Sequence, residues 1–491
     1  MNTTIRRTAF GALLALALDA VAHAQTSPPQ NGDPDTFWGN GGFVTPAMGA
    51  GDWDTLSRLA VQPGGKLVLA GACYTANLEK GLCATRLLPD GSFDVNFGEV
   101  GNGRELFAGD PRFPGDSDLG YNGLALQADN RLVMATFGHL GSDSSAVSYE
   151  GRLIRLSADG VPQALAGGAI YAPVVFADNV PAASANNAPQ AVAIAPDGKI
   201  VVAGNASRAG QPYINTDWGI ARFNADLGVD TSFNASGRKL VSFDLGGNFS
   251  DQAMAVAVQA DRKIVVAGHV TIDGGARKAA LIRLNADGSL DSGFGSGGRV
   301  FLGAATDAWS VYALAIDSQG RIVFAGSISR SAVAAQPADF FVARLGANGQ
   351  ADAGFGTAST DGPGVVVVHF GLSSPARDGA GGLALRGDDV FAIGSATSFY
   401  NPIGGYGDYR FALAHLRTDG SLAADFSGRG TAFGTFSPGG AANGCCIAIV
   451  GGFLFVAGQD NPSDSFFPRF AVGKLGYDRI FANGFDAEAS R

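Results

Sequence analysis

Five aspartates occupy one recurring place in this chain, each shortly before a brief apolar run: Asp54, Asp118, Asp251, Asp307 and Asp378. Carboxylates gathered round one mouth of a fold can bind a cation or a basic or hydroxylated ligand, and paired carboxylates can act on a glycan. The same residues can instead accept backbone N–H bonds and cap their own loops. Repetition at a common position favours capping, because a ligand rarely needs every copy. A second recurring set is basic: Arg86, Arg155, Arg222, Arg283, Arg344 and Lys474, with His415 in the sixth place. These residues could hold anions, but pairing with an aspartate in a neighbouring turn is the expectation, since a charge-assisted bond of that kind fixes one unit against the next.

The four cysteines fall in two pairs, which suits an oxidising compartment. Cys73 and Cys83 flank a short loop between two strands, so a loop-stapling disulfide is expected; Cys445 and Cys446 are adjacent and are candidates for a vicinal disulfide near the mouth of a channel. No metal site is expected, because His139, His269, His369 and His415 scatter without a ligating spacing. The Asp-Gly pairs lack the ladder of oxygens a calcium loop needs. No nucleophile elbow or phosphate-cradling loop occurs, and no cofactor is expected.

Positioning these residues requires a repeated scaffold. Seven short apolar runs end in a small-residue turn: 65–71 (GKLVLAG), 130–136 (NRLVMAT), 198–204 (GKIVVAG), 262–268 (RKIVVAG), 320–326 (GRIVFAG), 388–394 (DDVFAIG) and 452–458 (GFLFVAG). Their last residues are 65, 68, 64, 58, 68 and 64 positions apart, a period of about 64. Units of fixed period bury their apolar faces against one another. In the clearest unit, 256–258 is a brief strand, 263–267 a strand buried on both faces, 279–284 a third and 298–301 a fourth, with Asp287 and Gly288 in a hairpin turn. An Asp-x-x-Phe element precedes the fourth strand and recurs at Asp94/Phe97, Asp230/Phe233, Asp291/Phe294, Asp352/Phe355 and Asp478/Phe481. Four short antiparallel strands per unit make a propeller blade. The expected fold is therefore all-β: a seven-bladed β-propeller of four-stranded antiparallel blades. Residues 37–44 match the end of a unit, so the N-terminal strand at 42–45 is expected to complete the last blade and close the ring.

The N-terminus and the composition set the location. Residues 1–24 read as a secretory signal peptide, with Arg6 and Arg7 before an apolar stretch at 9–18 and a small-x-small site at 22–24. The apolar stretch is too short for the roughly 20 residues that span a bilayer. The propeller is expected over 25–491, exported to a secreted, periplasmic or cell-surface location. A net charge of −10 argues against nucleic acid and anionic membranes as partners. With 72 glycines and 16% charged residues, the composition fits many short strands and tight turns.

The pattern AVAVQADRKIVVAG at 255–268, followed by ALIRLNADGSLDSGFG at 280–295, resembles the delta-60 repeat of bacterial secreted and surface β-propeller proteins. The resemblance implies fold and location and carries no general activity. The expectation is an exported, monomeric propeller that binds a surface or extracellular protein or a glycan, or serves as a surface scaffold. The alternative is a secreted glycan-active hydrolase or lyase using carboxylates at the channel mouth.

Overall fold

Each apolar run becomes the second strand of an antiparallel sheet. The computed structural model describes residues 33–476 apart from 37, 47, 49–53, 75–79, 108–119, 140–148, 178–186, 208–215, 244, 247–249, 331–336, 358–361, 373–376, 401–406 and 464–467. The signal peptide, Asp118 and the Asp478/Phe481 element lie outside the described residues. Among those described, the chain is all-β, with two single-turn 3-10 segments.

The strands run in sets of four. The first set is β2 (Thr55–Gln62), β3 (Lys66–Tyr74), β4 (Lys80–Leu87) and β5 (Arg104–Leu106); the second is β6 (Gly120–Leu126), β7 (Leu132–His139), β8 (Tyr149–Leu156) and β9 (Tyr171–Val174). The third comprises β10 (Asn187–Ile194), β11 (Ile200–Ser207), β12 (Thr216–Phe223) and β13 (Arg238–Val241), and the fourth β14 (Gln252–Val258), β15 (Ile264–Thr271), β16 (Arg277–Leu284) and β17 (Arg299–Leu302). Next come β18 (Ala308–Ile316), β19 (Ile322–Ser329), β20 (Asp339–Leu345) and β21 (Val365–Val368), then β22 (Gly379–Arg386), β23 (Asp389–Tyr400), β24 (Gly407–Leu416) and β25 (Thr431–Gly434). The last set has three consecutive strands, β26 (Ala441–Val450), β27 (Phe453–Asn461) and β28 (Arg469–Gly476), and its fourth is β1 (Phe43–Val44) from the other end of the chain. Strand β1 pairs antiparallel with β28, Phe43 opposite Gly473 and Val44 opposite Val472. A single parallel bridge, Arg277 to Ala308, joins the fourth and fifth sets into one eight-stranded sheet.

Every first strand carries a β-bulge at the same point. The register shifts between Leu56 and Arg58, Tyr121 and Gly123, Pro189 and Ala191, Ala253 and Ala255, Val311 and Ala313, Ala380 and Gly382, and Gly444 and Cys446. The bulge presses a backbone carbonyl of the first strand onto the second. This explains the small residue ending the repeated run. A Cβ on Gly268 would collide with the Gln252 carbonyl, and one on Gly326 with that of Ser310. Gly71, Gly204, Gly394 and Gly458 meet the same obstacle, whereas the second set carries Thr136 at this place.

The cores lie between sheets. One cluster packs Trp218, Phe233 and Phe243 of the third set against Val256, Val266 and Ile282 of the fourth. Similar clusters join the other consecutive sets, and one joins Phe455, Ala457 and Val472 of the last set to Leu56, Leu69 and Cys83 of the first. Middle strands therefore bury both faces, as in β15, where Ile264 to Val270 are all buried.

Candidate functional site

The described members of the recurring aspartate set are all buried, each where one set of strands meets the next. Thr271 N–H donates to Asp251 Oδ1 at 3.0 Å, and Thr397 N–H donates to Asp378 Oδ1 at 3.1 Å. Met48 N–H donates to Asp54 Oδ2 at 3.0 Å. Asp307 Oδ2 lies 3.3 Å from Arg330 Nη1 and 3.4 Å from Trp309 Nε1. The backbone of each also reaches the preceding set: Asp54 N–H donates to the Pro468 carbonyl, Asp251 to Thr216 and Asp378 to Ala338, while the Asp307 carbonyl accepts from Arg277. Asp251 and Asp378 thus tie their own second strands to the preceding set. Burial pushes Asp378 up to about 6; the Thr397 N–H opposes the shift and the neighbouring Asp339 adds to it.

The basic set and the Asp-x-x-Phe element form a second device. Arg86 Nε donates to Asp94 Oδ2 at 2.9 Å, and the equivalent bonds from Arg222 to Asp230, Arg283 to Asp291 and Arg344 to Asp352 are each 2.7 Å. Each guanidinium also lies over the phenylalanine of the same element, 5.0 Å from the Phe97 ring centre, 4.9 Å from Phe233, 4.6 Å from Phe294 and 4.5 Å from Phe355. The carboxylate partner is therefore eight residues on in the same unit, a correction to the expectation of a neighbouring turn. The reach to the neighbour comes from the other guanidinium nitrogens. Arg86 donates to the Ala158 carbonyl at 2.6 Å and to Asp159 at 2.8 Å; Arg222 donates to the Ala286 carbonyl and Arg283 to the Ala347 carbonyl; Arg344 donates to the Thr418 carbonyl at 2.7 Å.

A cation at the start of the second strand joins the cluster and was missed from sequence. Lys66 Nζ is 2.7 Å from Asp94, Lys199 is 3.0 Å from Asp230 and Lys263 is 2.9 Å from Asp291. The signal was the lysine in second place in GKLVLAG, GKIVVAG and RKIVVAG. For Asp230, burial alone would raise the carboxyl, but bonds from Ser232 and Lys199 and the charge of Arg222 bring it down to about 2.

The second, sixth and last units depart from this pattern; in the second, Gln163 stands where the carboxylate would be and Arg155 Nη1 donates to the Ala225 carbonyl at 3.1 Å. In the sixth, Ala423 stands where the carboxylate would be; His415 lies 3.2 Å from Asp389 and stacks 4.1 Å from the Phe391 ring. In the last, the slot expected for Asp478 and Phe481 is filled from the N-terminal segment. Lys474 Nζ meets Asp35 Oδ2 at 2.9 Å, Asp35 N–H donates to the Lys474 carbonyl at 2.8 Å, and Trp38 takes the phenylalanine's place. Trp38 Nε1 then donates to the Pro89 carbonyl of the first unit at 3.0 Å.

The seven bulged strands line a common central cavity of about 200 Å³, to which each first strand contributes, among them Arg58, Met254, Tyr312, Gly381, Cys445 and Cys446. The four described aspartates of the recurring set, Asp54, Asp251, Asp307 and Asp378, do not line it. A disulfide joins Cys73 and Cys83 across the β3–β4 hairpin, their Cα atoms 5.9 Å apart. Cys445 and Cys446 sit in the middle of β26, facing the cavity rather than at the strand's start, with their sulfur atoms in contact. His269 is buried in β15 and held neutral, its pKa pushed down to about 3 by burial and by Arg277. Among the described residues no three His, Cys, Asp or Glu side chains gather as a metal site, and no helix is long and apolar enough to cross a membrane.

No curated protein matches the sequence. Among solved structures, a polysaccharide lyase, Uly1, aligns over 90% of this chain and 92% of its own at 10% identity and a TM-score of 0.46. A PL25 ulvan lyase aligns over 89% and 96% at 12% identity, TM-score 0.46, and a protein of unknown function from Dyadobacter fermentans over 76% and 98% at 12% identity, TM-score 0.43. The family described as "Domain of unknown function (DUF5122) beta-propeller" matches residues 195–233, 259–294 and 318–355, each match running from the first hairpin turn through the Asp-x-x-Phe element, and with the four-stranded sheets it supports a β-propeller family for this chain.

Proposed function

We propose that the chain is an exported seven-bladed propeller, its ring closed by the N-terminal segment, that works without catalysis as a binding or surface-scaffold module. The observation carrying this reading is the direction in which the repeated charges face. In the first, third and fourth units the Arg, Lys and Asp are used on one another and on the neighbouring turn, as are Arg344 and Asp352 in the fifth, and Asp54, Asp251 and Asp378 cap backbone at the seams between units. What differs from unit to unit is the loops, and these are free to diverge for a partner: a surface or extracellular protein, or a glycan. Support for closure comes from the pairing of β1 with β28 and from the core shared by the last and first sets.

A glycan-active reading rests on one observation, the pKa of about 6 at Asp378, which leaves part of that carboxyl protonated near neutrality. Incubating the purified protein with a panel of acidic and neutral polysaccharides separates the two readings. Retention of a glycan or an envelope protein without change in its chain length is expected. Depolymerisation lost on Asp378→Asn would overturn the binding reading.

A further inference from the structure

We propose that Cys445 and Cys446 form a redox-active dithiol/disulfide couple in the wall of the central cavity, reducible by small thiols while the Cys73–Cys83 bond stays intact. Successive side chains of a regular strand point to opposite faces, which holds adjacent sulfurs apart. Cys445 is the extra residue of the bulge in β26, so the alternation breaks at this peptide and the two side chains meet. The bulge exists in all seven units, and this one alone fills it with cysteine.

A bond between adjacent residues closes no chain loop, so it removes little entropy from the unfolded chain and has little stapling value. The Cys73–Cys83 bond, with a sequence separation of 10, does staple a hairpin. Access separates the pairs in the same way. Cys73 and Cys83 are fully buried, whereas Cys445 is half-buried on the open cavity. The facing strand offers Gly381 and Gly382 there, and a Cβ on Gly382 would lie 2.6 Å from the Cys445 carbonyl oxygen. Charge completes the site. Arg58 lines the same cavity as both cysteines, and its Nη1 and Cys446 Sγ approach one oxygen, the Ser57 carbonyl, at 2.8 and 3.2 Å, which puts a cation in the wall that holds the pair.

The step balances with an external dithiol. One of its thiolates attacks Cys445 Sγ, the bond to Cys446 breaks, and Cys446 departs as a thiolate and takes up a proton. The reductant's second thiolate then displaces Cys445, which also becomes a thiol, and the reductant leaves as a disulfide. Two electrons and two protons pass to the protein.

The test uses the full chain in its native state. It is exposed to dithiothreitol, quenched at intervals with iodoacetamide and mapped by mass spectrometry. Cys445 and Cys446 should label about tenfold or more faster than Cys73 and Cys83, and oxidised glutathione should abolish the labelling. Arg58→Gln should slow alkylation of the reduced pair at pH 7 by several-fold, because the thiolate loses its cation. A Cys445→Ser/Cys446→Ser chain should keep its Tm, while Cys73→Ser/Cys83→Ser should lower it. Equal labelling rates for the two pairs, labelling of 445 and 446 that needs no reductant and survives oxidant, or a Tm loss in the 445/446 variant matching that of the 73/83 variant would each overturn the proposal.

Discussion

Asp378 and Asp230 carry opposite consequences for stability although both are buried aspartates. The carboxyl of Asp378 is held at about 6, above the ordinary 3.8, so the folded chain binds its proton more tightly than the unfolded chain. Its contribution is complete below about pH 4 and is lost as pH rises through 6. Asp378→Asn keeps an oxygen for the Thr397 N–H and should stabilise the protein by about 1–3 kcal/mol at pH 7.5 but by nothing at pH 4, as read from urea unfolding at both values. Asp230 stands at about 2, below the ordinary value, so its contribution is present above pH 4 and is lost as pH falls through 2. Replacing it with alanine strands Arg222 and Lys199 beside each other and should cost about 3 kcal/mol at pH 7. The aspartates and arginines were legible in the sequence as repeated types. Their partners were not: the Arg to Asp distance of eight residues crosses a turn whose shape decides which carboxylate comes back to the guanidinium, and the residue types, read without that shape, pointed to a neighbouring turn.

The working element is the bulged hairpin of the first and second strands. Its glycine was plain in the sequence as the end of each apolar run, read as a turn signal; its reason is instead a close approach, because the bulged first strand lays a carbonyl where a Cβ would be. Period-2 patterning carries no mark of one extra residue in a strand, so the bulge was invisible. Gly268→Ala should therefore destabilise by about 1–3 kcal/mol, the range of an overpacked core, with the loss measured by chemical denaturation. Gly268 has ordinary backbone angles, so a left-handed conformation cannot be the source of that loss. The bulged strands also set the central cavity, since every first strand lines it and the displaced Met254, Tyr312, Gly381 and Cys445 are in its wall.

For the whole molecule, the spacing of the apolar runs was enough to anticipate an all-β repeat of four-stranded units, and the match of residues 37–44 to a unit's end was enough to place the N-terminal strand. The last Asp-x-x-Phe, read at Asp478 and Phe481 from its spacing, lies outside the described residues, while Asp35 and Trp38 take the equivalent place from the opposite end of the chain. Trp38 differs from the six-membered aromatic expected there, yet it performs the same reach into the next unit's turn, through its indole N–H. Residues 33–45 accordingly form the joint between the last and first units: a strand, an ion pair and a buried tryptophan.

Thermal unfolding of a chain beginning at residue 46, against one beginning at residue 33, measures that joint directly. The account predicts a Tm lower by roughly 5 °C or more for the shorter chain, recovered when a peptide of residues 33–45 is added in excess. Equal Tm values for the two chains, unaffected by the peptide, would contradict it.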